Sequence, residues 1–235
     1  MPPRFPSQVI LRGVCRAFGR TFALHRVDLT LQAGQAIGIV GDNGAGKSTL
    51  LDLLATTDRP TSGTIVYDDV SRQHFARRAR HRIGWVSHHK LLYDELTARE
   101  NLLFFARMYG VDNPADRVAS WLERVGLAAD ADRRVRNFSR GMTQRLTIAR
   151  ALIHNPQLLL FDEPATGLDQ QGGRFIVDLL RTLRDRGRIV ILVTHDFDLL
   201  DGLVDRLVIL RRGQITYDHP VEENKRIIDV YRTHA

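Results

Sequence analysis

The sequence predicts an α/β fold, a mostly parallel sheet covered by helices on both faces, with an inserted helical lobe. Three observations carry this expectation. Short β-like runs fill the first third of the chain, helical patterns occupy roughly Tyr93 to Leu152, and strands alternate with helices again to the end. The 235 residues suit one domain with an insertion, and at 43% hydrophobic and 26% charged they can bury a core.

The aliphatic runs Gln8 to Val14, Asp28 to Leu31, Ala36 to Val40, Thr64 to Tyr67 and Ile83 to Val86 read as strands, with a helical run from Thr49 to Ala55 after the third. Thr97 and Glu100 have the spacing of a capping box. Leu102, Phe105, Ala106 and Tyr109 then fall on one helical face before Gly110 stops it. Asn113-Pro114 opens the next helix, whose stripe is Val118, Trp121, Leu122 and Val125, and Gly126 closes it. These aromatics read as core rather than as a ligand box. The last third gives a strand at Leu158 to Phe161, a helix at Gln171 to Arg186, a strand at Ile189 to Val193, a helix from Asp196 and a strand at Leu207 to Arg211.

Apolar runs reach five residues, as at Ile189 to Val193, far short of the ~20 that span a bilayer. Met1 to Gln8 has no apolar core of a secretory signal, and the single Cys15 excludes an internal disulfide. A cytosolic protein is expected. The net charge is +7, and every basic residue except Lys47, Lys90 and Lys225 is arginine. The densest run, Arg72 to Arg82, is short and has one aromatic, Phe75, so no nucleic-acid partner is expected.

Gly41-Asp42-Asn43-Gly44-Ala45-Gly46-Lys47-Ser48-Thr49 matches G-x-x-x-x-G-K-S/T between an apolar strand and a helical run. Glycines at 41, 44 and 46 let backbone N–H groups turn inward around a phosphate, Lys47 adds a point charge, and Ser48 offers its hydroxyl to Mg²⁺. The apolar run into Asp162-Glu163 supplies the other half of such a site, Asp162 toward the metal and Glu163 toward an attacking water. Together they indicate a P-loop nucleotide-hydrolase core.

Asn137-Phe138-Ser139-Arg140-Gly141-Met142-Thr143-Gln144-Arg145 resembles the LSGGQ signature of ATP-binding cassette (ABC) proteins. Thr194-His195-Asp196 looks like that family's switch histidine, Ala165 to Asp169 like its D-loop, and Phe18 sits where an aromatic commonly stacks on adenine. The resemblance covers roughly Val9 to Tyr217. It implies a RecA-like core (residues 1–88 and 154–235) with an antiparallel N-terminal β part, and a helical subdomain (residues 89–153). It also implies ATP and Mg²⁺ as ligands, and two cassettes paired head to tail as a homodimer, so that Ser139, Gly141 and Met142 of one chain meet the nucleotide on Lys47 of the other. Asp169 belongs to the same interface. Because no segment spans a membrane, the resemblance further implies a separate integral permease, with this chain peripheral on the inner face of the membrane.

The family's usual glutamine at the junction into the helical lobe is replaced here. Alignment on the preceding strand puts His88 in its place, as a metal-touching group, with His89 as the neighbouring alternative. Ser87-His88-His89 followed by Leu92 to Thr97 and Glu100-Asn101-Leu102 resembles the ATPase of haem exporters linked to cytochrome c maturation, although exporters of drugs, lipids or polysaccharides share much of that pattern. A soluble, non-transport ABC ATPase is a further alternative. The motif variants lean toward export.

Overall fold

The computed structural model describes residues 7–68, 70–74, 80–87, 91–222 and 225–234. Strand β1 (Gln8–Phe18) turns back through Gly19-Arg20 into β2 (Thr21–Gln32), and β3 (Ala36–Val40) feeds helix α1 (Lys47–Leu54). Next come β4 (Ser62–Tyr67), β5 (Val70–Ser71) and β6 (Ile83–Val86). Three helices follow, α2 (Ala98–Met108), α3 (Pro114–Arg124) and α4 (Arg140–Leu152). Alternation then resumes with β7 (Leu158–Asp162), α5 (Gln170–Asp185), β8 (Ile189–Val193), α6 (Phe197–Leu200), β9 (Arg206–Arg211), β10 (Gln214–Pro220) and α7 (Ile227–His234).

Two sheets result. The antiparallel one runs β2-β1-β4-β5, and the six-stranded one runs β10-β9-β3-β8-β7-β6, parallel except for β10. The expected fold is therefore present. Strands β7 and β8 are buried on both faces, which is why they read as unbroken aliphatic runs. Their side chains nevertheless divide with period two. Leu158, Leu160, Ile189 and Ile191 join the core under the antiparallel sheet, with Leu11, Ile39 and Leu50. Leu159, Phe161, Val190 and Leu192 join the core under the helices, with Leu102, Trp121 and Leu180.

The capping box closes as its spacing requires: the Glu100 N–H donates to Thr97 Oγ1 at 3.1 Å, and the Thr97 N–H donates to Glu100 Oε2 at 2.8 Å. Trp121 and its stripe are core. One expectation needs correction, the helix from Asp196 is present but short, and two elements were not expected. The strand expected at Asp28 to Leu31 begins at Thr21, because its outer half alternates buried residues with His25, Arg26 and Asp28. The helix from Asp196 is a single turn, since Asp201 leaves helical geometry at its end. Neither the β10 hairpin strand nor α7 was expected, both carrying many polar residues on exposed faces.

Thr97→Ala should lower unfolding stability by about 1 kcal/mol through loss of the cap. Leu102→Ala, at a fully buried position, should cost about 2–5 kcal/mol. Urea unfolding of both variants checks the ranking, and equal midpoints would contradict it.

Candidate functional site

The site lies at the carboxyl ends of three adjacent parallel strands, where β3, β8 and β7 each run into a loop. Beyond β3 the chain makes the phosphate loop, and two of its glycines are sterically required. Gly41 has φ +153°, and a Cβ there would stand 2.1 Å from the Leu210 carbonyl oxygen; Gly46 has φ +104°, and its Cβ would stand 2.3 Å from the Ala23 carbonyl oxygen. The loop ends at the N-terminus of α1, whose free N–H groups and dipole favour an anion.

Lys47 is buried, and its ammonium donates to the carbonyls of Gly41 at 2.5 Å and Asp42 at 3.0 Å. Burial lowers its pKa, while Glu163, Asp162 and Asp42 oppose that shift. Backbone oxygens thus hold a charged group where phosphate oxygens could take their place. Ser48 Oγ donates to Asp162 Oδ2 at 3.1 Å. This hydroxyl–carboxylate pair is a hard oxygen donor set of the kind that holds Mg²⁺ together with substrate phosphates. Among the described residues no group of three or more His, Cys, Asp or Glu side chains could hold a metal.

Glu163 follows β7 directly and lies in the left-handed region, at φ +51°. Its N–H donates to the Val193 carbonyl at 2.8 Å, and its carboxylate accepts from Thr194 Oγ1 at 2.9 Å and from the His195 N–H at 3.0 Å. The carboxylate is therefore fixed from the end of β8. His195 Nε2 lies 3.9 Å from Glu163 Oε1 on an exposed side chain. The pattern Thr194-His195-Asp196 marked the histidine, but the anchoring role of Thr194 was not legible in it.

These groups line one open cleft of about 600 Å³, along with Asn43, Gly44, Thr49 and, at the rim, Phe18. Phe18 is 55% exposed. The Arg16 guanidinium stands 4.3 Å over one face of its ring and bonds Asp58 at 2.6 Å, which leaves an aromatic plate at the mouth of the cleft. No sequence motif marked Arg16.

The residues expected to form the signature lie elsewhere. Ser139 caps α4, accepting from the Met142 N–H at 3.2 Å, and Asp169 caps α5, accepting from the Gly172 N–H at 2.8 Å. A Cβ on Gly141 would stand 3.2 Å from the Gly167 carbonyl, and Gln144 Nε2 donates to the Pro164 carbonyl at 2.9 Å. Met142 is half-buried against the helical core. Ser139, Gly141 and Asp169 line a second cleft of about 520 Å³. The two clefts have no lining residue in common. The structure thus joins Phe18, Asn43, Gly44, Gly46, Lys47, Ser48, Thr49, Asp162, Glu163 and His195 in one place, and Ser139, Gly141 and Asp169 in another. His88 and His89 lie outside the described residues.

The sequence profile described as "ABC transporter" matches residues 24–166, more than half of the chain. Nod factor export ATP-binding protein I of Mesorhizobium japonicum is 40% identical over 204 residues, which cover 86% of this chain and 60% of that protein. The chain thus spans less than two thirds of that relative's length. ABC transporter ATP-binding protein NatA of Bacillus subtilis is 34% identical over 203 residues, covering 85% of this chain and 82% of NatA. Among solved structures, the dimeric post-hydrolysis state of the ATP-binding cassette MJ0796, bound to ADP and Pi, superimposes with a TM-score of 0.83 at 29% identity, over 91% of this chain and 99% of that one.

Thr194→Val removes one of the two donors to the Glu163 carboxylate and leaves the phosphate loop untouched. Nucleotide hydrolysis should fall by about tenfold while nucleotide affinity stays within twofold. Steady-state rates with direct binding measurements decide this, and an unchanged rate would show that the Thr194 bond does not position the carboxylate.

Proposed function

The chain belongs to the ABC transporter family of ATP-binding cassettes, and from that premise we propose that it is the ATP-hydrolysing subunit of an exporter, working as a pair beneath a separate membrane permease. The observation that carries the pairing is the division of the site. Lys47, Ser48 and Glu163 line one cleft, Ser139 and Gly141 another, and two copies placed head to tail bring each cleft against its complement.

In this reading Lys47 leaves the loop carbonyls to hold the β and γ oxygens, and the loop N–H groups bind the β-phosphate. Phe18 supports the adenine on the face opposite Arg16. Ser48 and Asp162 would hold Mg²⁺, which when bound supplies neutralising charge to the phosphate oxygens. Glu163 accepts a proton from the attacking water, and Thr194 with the His195 N–H keeps its carboxylate in place. His195 faces the γ-phosphate, and the partner's signature contributes its helix N-terminus and the Ser139 hydroxyl. Binding ATP closes the pair, and splitting it reopens the pair. His88 remains a proposed metal-touching group at the junction.

A partner surface adjoins that junction. Leu91, Tyr93, Phe104 and Met108 are large apolar side chains 43% to 55% exposed, and Tyr93 and Phe104 meet edge to face at 5.1 Å. This patch suits a cytoplasmic helix of the permease. Among the described residues no helix is long and apolar enough to cross a membrane, and as the ATP-hydrolysing partner of a permease the chain would act from the cytoplasmic face. The relatives named for Nod factor export support an exporter. Haem as cargo is a second reading, carried by the Leu92 to Leu102 resemblance, and the integral membrane protein that co-purifies with the chain separates the two.

Lys47→Ala should abolish ATP binding. Glu163→Gln should keep binding, slow hydrolysis by about 10²–10⁴ and accumulate as an ATP-bound dimer in size-exclusion chromatography. A Glu163→Gln variant that hydrolyses ATP at the parent rate would remove Glu163 as the base.

A further inference from the structure

Helix α7 belongs to none of the motifs above, yet it reaches the phosphate loop. Tyr231 Oη donates to Asp42 Oδ1 at 3.0 Å, across 189 residues of chain. Asp42 follows Gly41, and its own carbonyl accepts both the Lys47 ammonium at 3.0 Å and the Ala45 N–H at 3.1 Å. Its carboxylate is therefore held from α7 and its carbonyl from within the loop.

The same helix is anchored to the segment that follows His195. Ile227 is fully buried, and its N–H donates to Asp201 Oδ1 at 3.0 Å. Arg226, just before the helix, pairs with Asp198 at 2.6 Å and with Asp201 at 3.6 Å, and the rings of Tyr231 and Phe197 stand 5.2 Å apart. One helix thus bridges the loop that receives phosphate and the turn behind the switch histidine.

The charge on Asp42 is a hazard to the reaction. It is near enough to Lys47 to act on that ammonium, so it is near enough to repel a triphosphate bound there. The Tyr231 hydroxyl remains a donor at working pH, because burial and the bond to Asp42 both raise its pKa.

We infer that Tyr231 is a positioning residue for ATP, holding the Asp42 carboxylate at the outer rim of the phosphate loop so that its charge stays off the triphosphate. This rests on the ATP site proposed above. The test measures the Kd for Mg-ATP by titration calorimetry on the full chain carrying Glu163→Gln, so that turnover does not intervene. Adding Tyr231→Phe keeps the ring on Phe197 but removes the donor, and should weaken ATP binding about three- to tenfold. That defect should shrink at about 0.5 M salt. Adding Asp42→Asn to Tyr231→Phe removes the charge and should restore affinity to within about twofold of the parent, which a merely structural contact would not allow. An unchanged Kd in Tyr231→Phe, or a defect that Asp42→Asn fails to repair, overturns the inference while leaving the ATP site intact. A parent chain that does not bind Mg-ATP overturns both.

Discussion

Ser48 and Asp162 are 114 residues apart in the chain and 3.1 Å apart in space, and the parallel ladder of β3, β8 and β7 is what closes that gap. The register places Ile39 beside Val193 and Val193 beside Asp162 in one row across the sheet. The phosphate loop, Thr194-His195 and Glu163 all follow immediately beyond that row. A one-residue slip in either pairing would turn Asp162 from the loop to the opposite face. Both faces of these strands are packed by aliphatic cores, so register is set by burial on two sides, and the polar ends are carried into place by apolar interiors.

Within that frame the charged groups constrain one another. Lys47 is buried and would be costly without partners; loop carbonyls hold it directly, and three carboxylates oppose the effect of burial on its pKa. Glu163 accepts an unusual backbone conformation and in return meets two donors from the end of β8. Each carboxylate near the loop thereby has a distinct setting. Asp162 faces the Ser48 hydroxyl, Glu163 faces β8, and Asp42 faces α7. Charge brought in by a phosphate group would meet one ammonium and several N–H groups while the acids are held by other donors.

How far the sequence could be read follows from how local each feature is. The phosphate loop, the acidic end of β7 and the Thr97 capping box depend on near neighbours, and all three stand where their spacing put them. The core role of Val118, Trp121 and Leu122 followed from helical period alone. The features without a local signal depend on distant pairing. The first half of β2 is stabilised by β1 rather than by its own pattern, and β10 by β9. Thr194 gains its meaning only from Glu163, 31 residues away, and Tyr231 only from Asp42. Ser139 to Met142 stand out as a candidate signature only by resemblance, because no property of those side chains alone would separate that helix start from the one at Asp169.

In the proposed pair one nucleotide is completed by two chains, and cross-linking tests this most directly. With Cys15→Ser and Glu163→Gln as background, one preparation carries Asn43→Cys at the first cleft and another carries Arg140→Cys at the second. Mixed under mild oxidant, the two preparations should give a covalent dimer joining one chain of each kind, in Mg-ATP and not in its absence. Cross-linking that is indifferent to ATP, or its absence at saturating ATP, would contradict the shared site.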